Sequence, residues 1–294
     1  METSDILKRV RKIEIKTRGL SRHIFAGQYH SAFKGRGMAF SEVREYHYGD
    51  DIRSIDWNVT ARFNQPYVKV FEEERELTVM LLIDVSGSEN FGTSMLLKNQ
   101  LITEIAAVLA FSAIQNNDKI GVILFSGRVE KFIPPQKGRK HILRIISELL
   151  NYQPQSKETN IADALKYLTN AIKKRCTAFI LSDFVDVDKN SQPRFSDALS
   201  IANNKHDVVG IRVFDNRETE LPSVGLVKFK DAESGGYSWI DTSDALTRQA
   251  YGKWWLQTTE NLKKVFTKSK VDLTSIATDE DYVKPLILLF KRRA

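Results

Sequence analysis

A chain of 294 residues, 42% hydrophobic and 28% charged, carries enough apolar side chains for one large core with an added segment. Its longest apolar runs, such as Pro285-Leu286-Ile287-Leu288-Leu289-Phe290, fall far short of the roughly 20 residues that span a bilayer. The single Cys176 excludes an internal disulfide, and no basic start leads into an apolar stretch at the N-terminus, so the expectation is a cytoplasmic protein without a transmembrane anchor.

The net charge is +7, of which +5 falls in residues 1–70. Lys8, Arg9, Arg11, Lys12, Lys16, Arg18 and Arg22 offer a cationic face to nucleic acid or an anionic membrane. Interleaved Ile6, Leu7, Val10 and Ile13 recur at helical spacing, so we favour an amphipathic packing helix with a solvated basic face. From Gly19 to Val70 no period is sustained, and the stretch reads as loops and short strands laid over a core. Arg44, Glu45, Asp50, Asp51, Arg53, Asp56 and Arg62 alternate in sign, which predicts an ion-pair and hydrogen-bond network holding this extension to the sheet. No nucleophile or base stands out among them. Gly35-Arg36-Gly37 lacks the third glycine and the preceding strand of a dinucleotide fingerprint and reads as a turn.

Residues 71–294 read as one α/β domain. An acidic stretch from Phe71 to Glu76 leads into Leu77-Thr78-Val79-Met80-Leu81-Leu82-Ile83-Asp84, an apolar run that predicts a strand buried on both faces and ending at a polar loop. Leu96, Leu97, Leu101, Ile105, Val108, Leu109 and Ala113 place a helix over 93–115, stopped by Asn116-Asn117-Asp118. A second buried strand follows over 119–125, then a short antiparallel edge strand over 128–133 bounded by Pro134-Pro135. Helices over 138–150 and 161–174, a strand over 176–182, a helix over 193–203 and a strand over 207–214 complete an alternation that argues for a doubly wound, mainly parallel sheet. Beyond Asp215 the pattern predicts a hairpin insertion at about 220–242, its turn at 231–235. A long helix over 243–268 follows, with Trp254 and Trp255 as packing residues, then a strand over 271–277 and a closing helix over 282–291.

The most specific chemistry lies at strand ends, where ligands bind in open α/β sheets. Asp84, Ser86 and Ser88 are short oxygen-bearing side chains at alternate positions of Asp84-Val85-Ser86-Gly87-Ser88. Hard oxygen donors with one carboxylate suit Mg²⁺ or another divalent ion such as Mn²⁺ or Ca²⁺. Thr159 stands just before a helical pattern and Asp183 just after an apolar run, so both fall where they can converge on Asp84. One carboxylate with neutral hydroxyls leaves the cation incompletely neutralised, and it should attract an acidic side chain of a protein ligand. Asp183 would then orient a bound water instead of ligating. The competing reading is that Ser86-Gly87-Ser88 only turn the chain and cap the next helix. Glu89, Asp186 and Asp188 read as solvated loop residues.

Asp84-x-Ser86-x-Ser88 after a buried strand, with Thr159 and Asp183, resembles the metal-ion-dependent adhesion site of von Willebrand factor A domains. Gly35-Arg36-Gly37, Phe40, Arg44-Glu45-Tyr46, Gly49-Asp50-Asp51-Ile52-Arg53-Ser54-Ile55-Asp56-Trp57 and Ala61-Arg62 resemble the signature of the bacterial domain-of-unknown-function fifty-eight family. That resemblance, running from about Ile13 onward, implies a von Willebrand A-like fold and a MoxR-type AAA+ ATPase as partner, with this chain acting as an adaptor in chaperone-like assembly.

Enzyme signatures are absent: no phosphate-binding loop, no His-Glu-x-x-His, no Gly-x-Ser-x-Gly and no Cys-x-x-Cys occurs. His23, His30, His47, His141 and His206 are scattered and read as surface or satisfied structural residues. We therefore expect a binding module and not an enzyme. A Mg²⁺-dependent phosphohydrolase and a nucleic-acid-binding adaptor using the basic N-terminal segment stand as alternatives.

Overall fold

A computed structural model describes residues 11, 13, 39–72, 77–87, 98–230 and 236–293. The expectations for the basic N-terminal helix, Gly35-Arg36-Gly37, His23, His30, the first turn of the 93–115 helix and the 231–235 turn lie outside these residues. There are two compact units, one within Lys34–Leu77 and one that contains Thr78–Ala294.

In the first unit, β1 (Ala39–Glu45) and β2 (Tyr67–Glu72) pair antiparallel, with an irregularity between Phe40 and Glu42. A 3-10 turn over Ile52–Ser54 and helix α1 (Trp57–Phe63) each start on an aspartate whose carboxylate accepts free amides of the first turn: Arg53 N–H for Asp51, Asn58 and Val59 N–H for Asp56. Arg44 forks onto Asp50 at 2.7 and 2.8 Å, and this bond is the main cause holding the Asp50 carboxyl down at about 2. Lys69 Nζ lies 3.4 Å from Asp56. Of the alternating charges, Asp51 and Asp56 thus cap local turns, and Arg44, Asp50 and Asp56 pair within their own segment.

The second unit is built on strands β3 (Thr78–Asp84), β4 (Lys119–Phe125), β5 (Val129–Gln136), β6 (Thr177–Ser182) and β7 (Asp207–Phe214), a two-stranded hairpin β8 (Leu226–Lys230) and β9 (Tyr237–Asp241), and β10 (Asp272–Ala277). Six of them form one sheet in the order β10-β7-β6-β3-β4-β5, parallel throughout except for β5. The doubly wound, mainly parallel sheet with an antiparallel edge strand that the sequence predicts is the one found. Every residue from Val79 to Asp84 is buried, so β3 needs cover on both faces. Helix α2 (Lys98–Gln115) lies over β3, β4 and β7 and packs on α3 (Arg139–Asn151). Met80, Leu82, Ile123, Phe125, Ala178 and Ile180 instead meet Ile161, Leu165 and Leu168 of α4 (Ile161–Ala171) and Leu199 of α5 (Ser196–Lys205). Leu262 and Phe266 of α6 (Ala245–Lys268) join the same cluster, and α7 (Val283–Arg293) packs beside β10. Trp255 is buried, as its packing role required. Among the described residues, no helix is long and apolar enough to cross a membrane.

The structure corrects three boundaries, the first being that α4 ends at Ala171 and not at Lys174, its C-cap Ile172 N–H bonding Leu168 O. β5 does not stop before Pro134-Pro135 but runs through both to Gln136. It has a neighbour on one side only, and the register slips between Ile120 and Val122 opposite the prolines, so the ladder loses no amide it needs. The slip drives the proline backbone onto Gly121, where a Cβ would stand 2.9 Å from both Ile133 O and Pro135 N. Helix α5 starts at Ser196, not Pro193, because Arg194 N–H bonds Asp186 O and Val187 bridges to Pro193, which commits that stretch to a loop.

Gly210 on β7 has a sharper requirement. A Cβ there would lie 2.4 Å from Phe266 Cε1, and that ring packs edge-on to both Phe184 and Phe195 and cannot swing away. Gly210→Ala is expected to cost about 1–3 kcal/mol, read from the urea midpoint at unchanged slope.

Candidate metal centre

Strands β3 and β6 are neighbours with Ile83 level with Leu181, so their carboxyl ends deliver Asp84, Ser182 and Asp183 to one place. Asp84 is 2% exposed. Its Oδ1 accepts Ser86 N–H at 2.9 Å and its Oδ2 accepts the Ser182 hydroxyl at 2.7 Å, while Phe184 N–H holds Ser182 Oγ at 3.0 Å. Burial first, and the nearby Asp183 charge second, push the Asp84 carboxyl up to about 7.

Ser86 is fully buried on the turn after β3. Gly87 N–H donates to Lys157 O at 3.0 Å and Asn160 N–H to Ser126 O at 2.8 Å, tying the loop before α4 to the ends of β3 and β4. Thr159 rides on that loop, buried, and its Oγ1 has no hydrogen-bond partner. Asn160 caps α4 by accepting Asp163 N–H. Ser88 and Glu89 lie outside the described residues.

Asp183 is buried, its Oδ1 on Val185 N–H at 3.0 Å and its Oδ2 on Lys98 Nζ at 2.9 Å. Lys98 is completely buried and reaches Glu218 Oε1 at 2.8 Å as well. Burial raises the Glu218 carboxyl, opposed by the Lys98 ammonium. Arg212 is buried alongside, its guanidinium 4.9 Å above the Trp255 ring and bonded to Thr259 Oγ1 at 3.1 Å; burial lowers it, while the Asp183 and Glu218 charges resist.

The sequence reading missed Lys98, Ser182, Arg212 and Glu218. Asp215-Asn216-Arg217-Glu218 carried the acid-x-x-Glu spacing of the capping box that the structure shows, and Lys98 interrupted an otherwise apolar helical stripe; both signals were there to be used. Asp186 is a correction: it is buried, not solvated, and accepts Ile161 N–H at 3.0 Å and Arg194 Nε at 2.6 Å. Asp188 is exposed, as expected.

Among the described residues, no group of three or more His, Cys, Asp or Glu side chains is placed to hold a metal. A site here would need hydroxyl oxygens, and the Thr159 hydroxyl is buried with its lone pairs unused. Asp84, Ser86 and Thr159 all offer hard oxygen donors, the chemistry that Mg²⁺ takes. Asp84 and Asp183 each have both carboxylate oxygens hydrogen-bonded within the chain.

The chain matches the family described as "Protein of unknown function DUF58" over residues 42–261, well over half its length. It belongs to the DUF58 family. Among similar sequences, the "Uncharacterized protein Rv1480" of Mycobacterium tuberculosis is 29% identical over 281 residues, covering 95% of this chain and 86% of the relative. The "Uncharacterized protein YeaD" of Bacillus subtilis is 27% identical over 109 residues, covering 37% and 25%. Among solved structures, the conserved hypothetical protein BatB from Bacteroides thetaiotaomicron aligns with a TM-score of 0.48 at 13% identity, covering 74% of the DUF58 chain and 98% of BatB. The SpRpn10 VWA domain aligns at 0.39 and 13%, covering 72% and 94%.

The DUF58 core also holds a buried thiol and imidazole in contact, Cys176 Sγ and His206 Nδ1 at 3.3 Å. Burial is the leading cause for both, pushing the thiol up to about 12 and the imidazole down to about 4, the reverse of an activated thiolate–imidazolium pair. Cys176 is expected to resist iodoacetamide in the native protein at pH 8 and to react fully in urea, as counted by mass spectrometry.

Proposed function

We propose that this DUF58 chain is a metal-dependent protein-binding module that works as an adaptor with a MoxR-type AAA+ ATPase in chaperone-like assembly or activation of client proteins. The observation that carries the reading is the unpartnered, buried Thr159 hydroxyl on a loop tied to the turn that holds Asp84 and Ser86. A buried hydroxyl without a partner costs free energy, and a cation supplies the missing interaction. Asp84, Ser86 and Thr159 would hold the ion, with Ser88 as a further ligand; Asp183, fixed by Lys98 and Val185 N–H, would face it as an acceptor beyond the ligands. The bound ion supplies a Lewis-acidic position for an acidic oxygen of the partner. On this side of the contact the chain's own residues do the rest: Ser182 and the Ser86 amide orient Asp84.

Copurification of the full chain with a tagged MoxR-type ATPase tests this. The complex is expected in Mg²⁺ and lost with chelator and in Asp84→Ala; a complex indifferent to both rejects the metal-bridged version, and no complex in Mg²⁺ rejects the partner.

A further inference from the structure

A cleft of about 170 Å³ opens directly beside Asp84 and Ser86, between α2 and the end of α3. Ile83, Ile102, Leu149 and Pro154 give it apolar surface, and Tyr152 and Gln153 add polar atoms. Its size is informative. Pockets for drug-sized ligands start at roughly 300 Å³, whereas a cavity of about 150 Å³ lined by aliphatic and aromatic side chains holds one benzene. The cleft, as the described residues bound it, fits one medium-sized apolar side chain.

Two of its walls, Asp84 and Ser86, are the residues proposed to hold the cation, so whatever occupies the cleft lies next to the group bound to that cation. An ion with a single directly bound carboxylate keeps residual positive charge and selects a carboxylate from the ligand. We infer that the cleft is a specificity pocket for a protein segment in which an acidic residue stands next to a leucine-sized apolar one. The carboxylate meets the cation, and the apolar neighbour enters between Ile102 and Leu149. This rests on the metal reading above and adds to it the choice of partner segment.

The inference is tested with small carboxylates on the full chain. Acetate carries the acid alone, 4-methylpentanoate adds a leucine-like tail, and 3-phenylpropionate adds a larger one. Mn²⁺ binding is measured first, by the loss of its free paramagnetic resonance signal, and the acids are then titrated in saturating Mg²⁺ by NMR shift changes. Burying the tail is expected to make 4-methylpentanoate bind at least about tenfold more tightly than acetate. Chelator should abolish that gain, and Leu149→Trp, which fills the cleft, should abolish it while leaving Mn²⁺ affinity unchanged. Leu149→Ala, which enlarges the cleft, should shift the preference to 3-phenylpropionate. A wild-type chain that takes up no Mn²⁺ overturns the metal reading itself. Mn²⁺ uptake with equal binding of acetate and 4-methylpentanoate overturns this inference alone, as does tight 4-methylpentanoate binding that neither Leu149 variant alters.

Discussion

Asp84→Asn is expected to make the metal-free protein more stable at pH 8, by roughly 2 to 4 kcal/mol, although the substitution removes the central residue of the candidate site. The folded chain holds the Asp84 carboxyl at about 7, against 3.8 for the ordinary group, chiefly through burial and then through the Asp183 charge. Between those values the folded state binds the proton and the unfolded state does not. The stability this group contributes is therefore fully present below pH 3.8, declines as pH rises, and is gone above pH 7. Asparagine matches the shape, stays neutral, and keeps an oxygen for the Ser86 amide. Thermal melts from pH 5 to 8 in chelator should show wild-type stability falling toward high pH and a flatter profile for the variant. The proposed cation reverses the order: Mg²⁺ should raise the wild-type midpoint at pH 8 far more than at pH 5.5, where protons compete for Asp84, and should leave Asp84→Asn unmoved. A variant that is less stable than wild type at pH 8 in chelator would contradict this account of the site.

Lys98→Met should be the most damaging single change near the site. The ammonium is completely buried and serves two carboxylates, Asp183 at 2.9 Å and Glu218 at 2.8 Å. Replacing it by an apolar chain of similar length removes the buried counter-charge that both acids share, for which about 3–5 kcal/mol of destabilisation is expected. Adding Glu218→Gln should restore part of the loss, because burial already raises that carboxyl and the amide retains an acceptor oxygen. Urea denaturation of the wild type, the two single variants and the double variant gives the coupling. Additive losses would mean that the buried pair does not act as a unit.

The parallel core was legible in the sequence because its strands are buried on both faces: Met80-Leu81-Leu82-Ile83 and Phe179-Ile180-Leu181 carry no polar interruption. Residues at strand ends were legible for the same reason, since Asp84 and Asp183 mark where an apolar run stops. What escaped was long-range charge. Lys98 stands 85 residues from Asp183 and 120 from Glu218, and no local pattern states that a lysine on an apolar helix will be neutralised across the sheet. Asp186 was misread because a loop aspartate looks the same whether it faces water or caps a distant helix; only the fold brings Ile161 N–H to it. The prolines of β5 misled in the opposite direction, since the rule that they end strands holds for a strand with two neighbours, and β5 has one.

That strand has a bearing on how this protein meets others. Pro134 and Pro135 sit on the outer margin of the sheet and carry no amide hydrogens, so a foreign peptide lining up along that margin would find donors missing where it needs them. Sheet extension along that stretch of β5 is disfavoured.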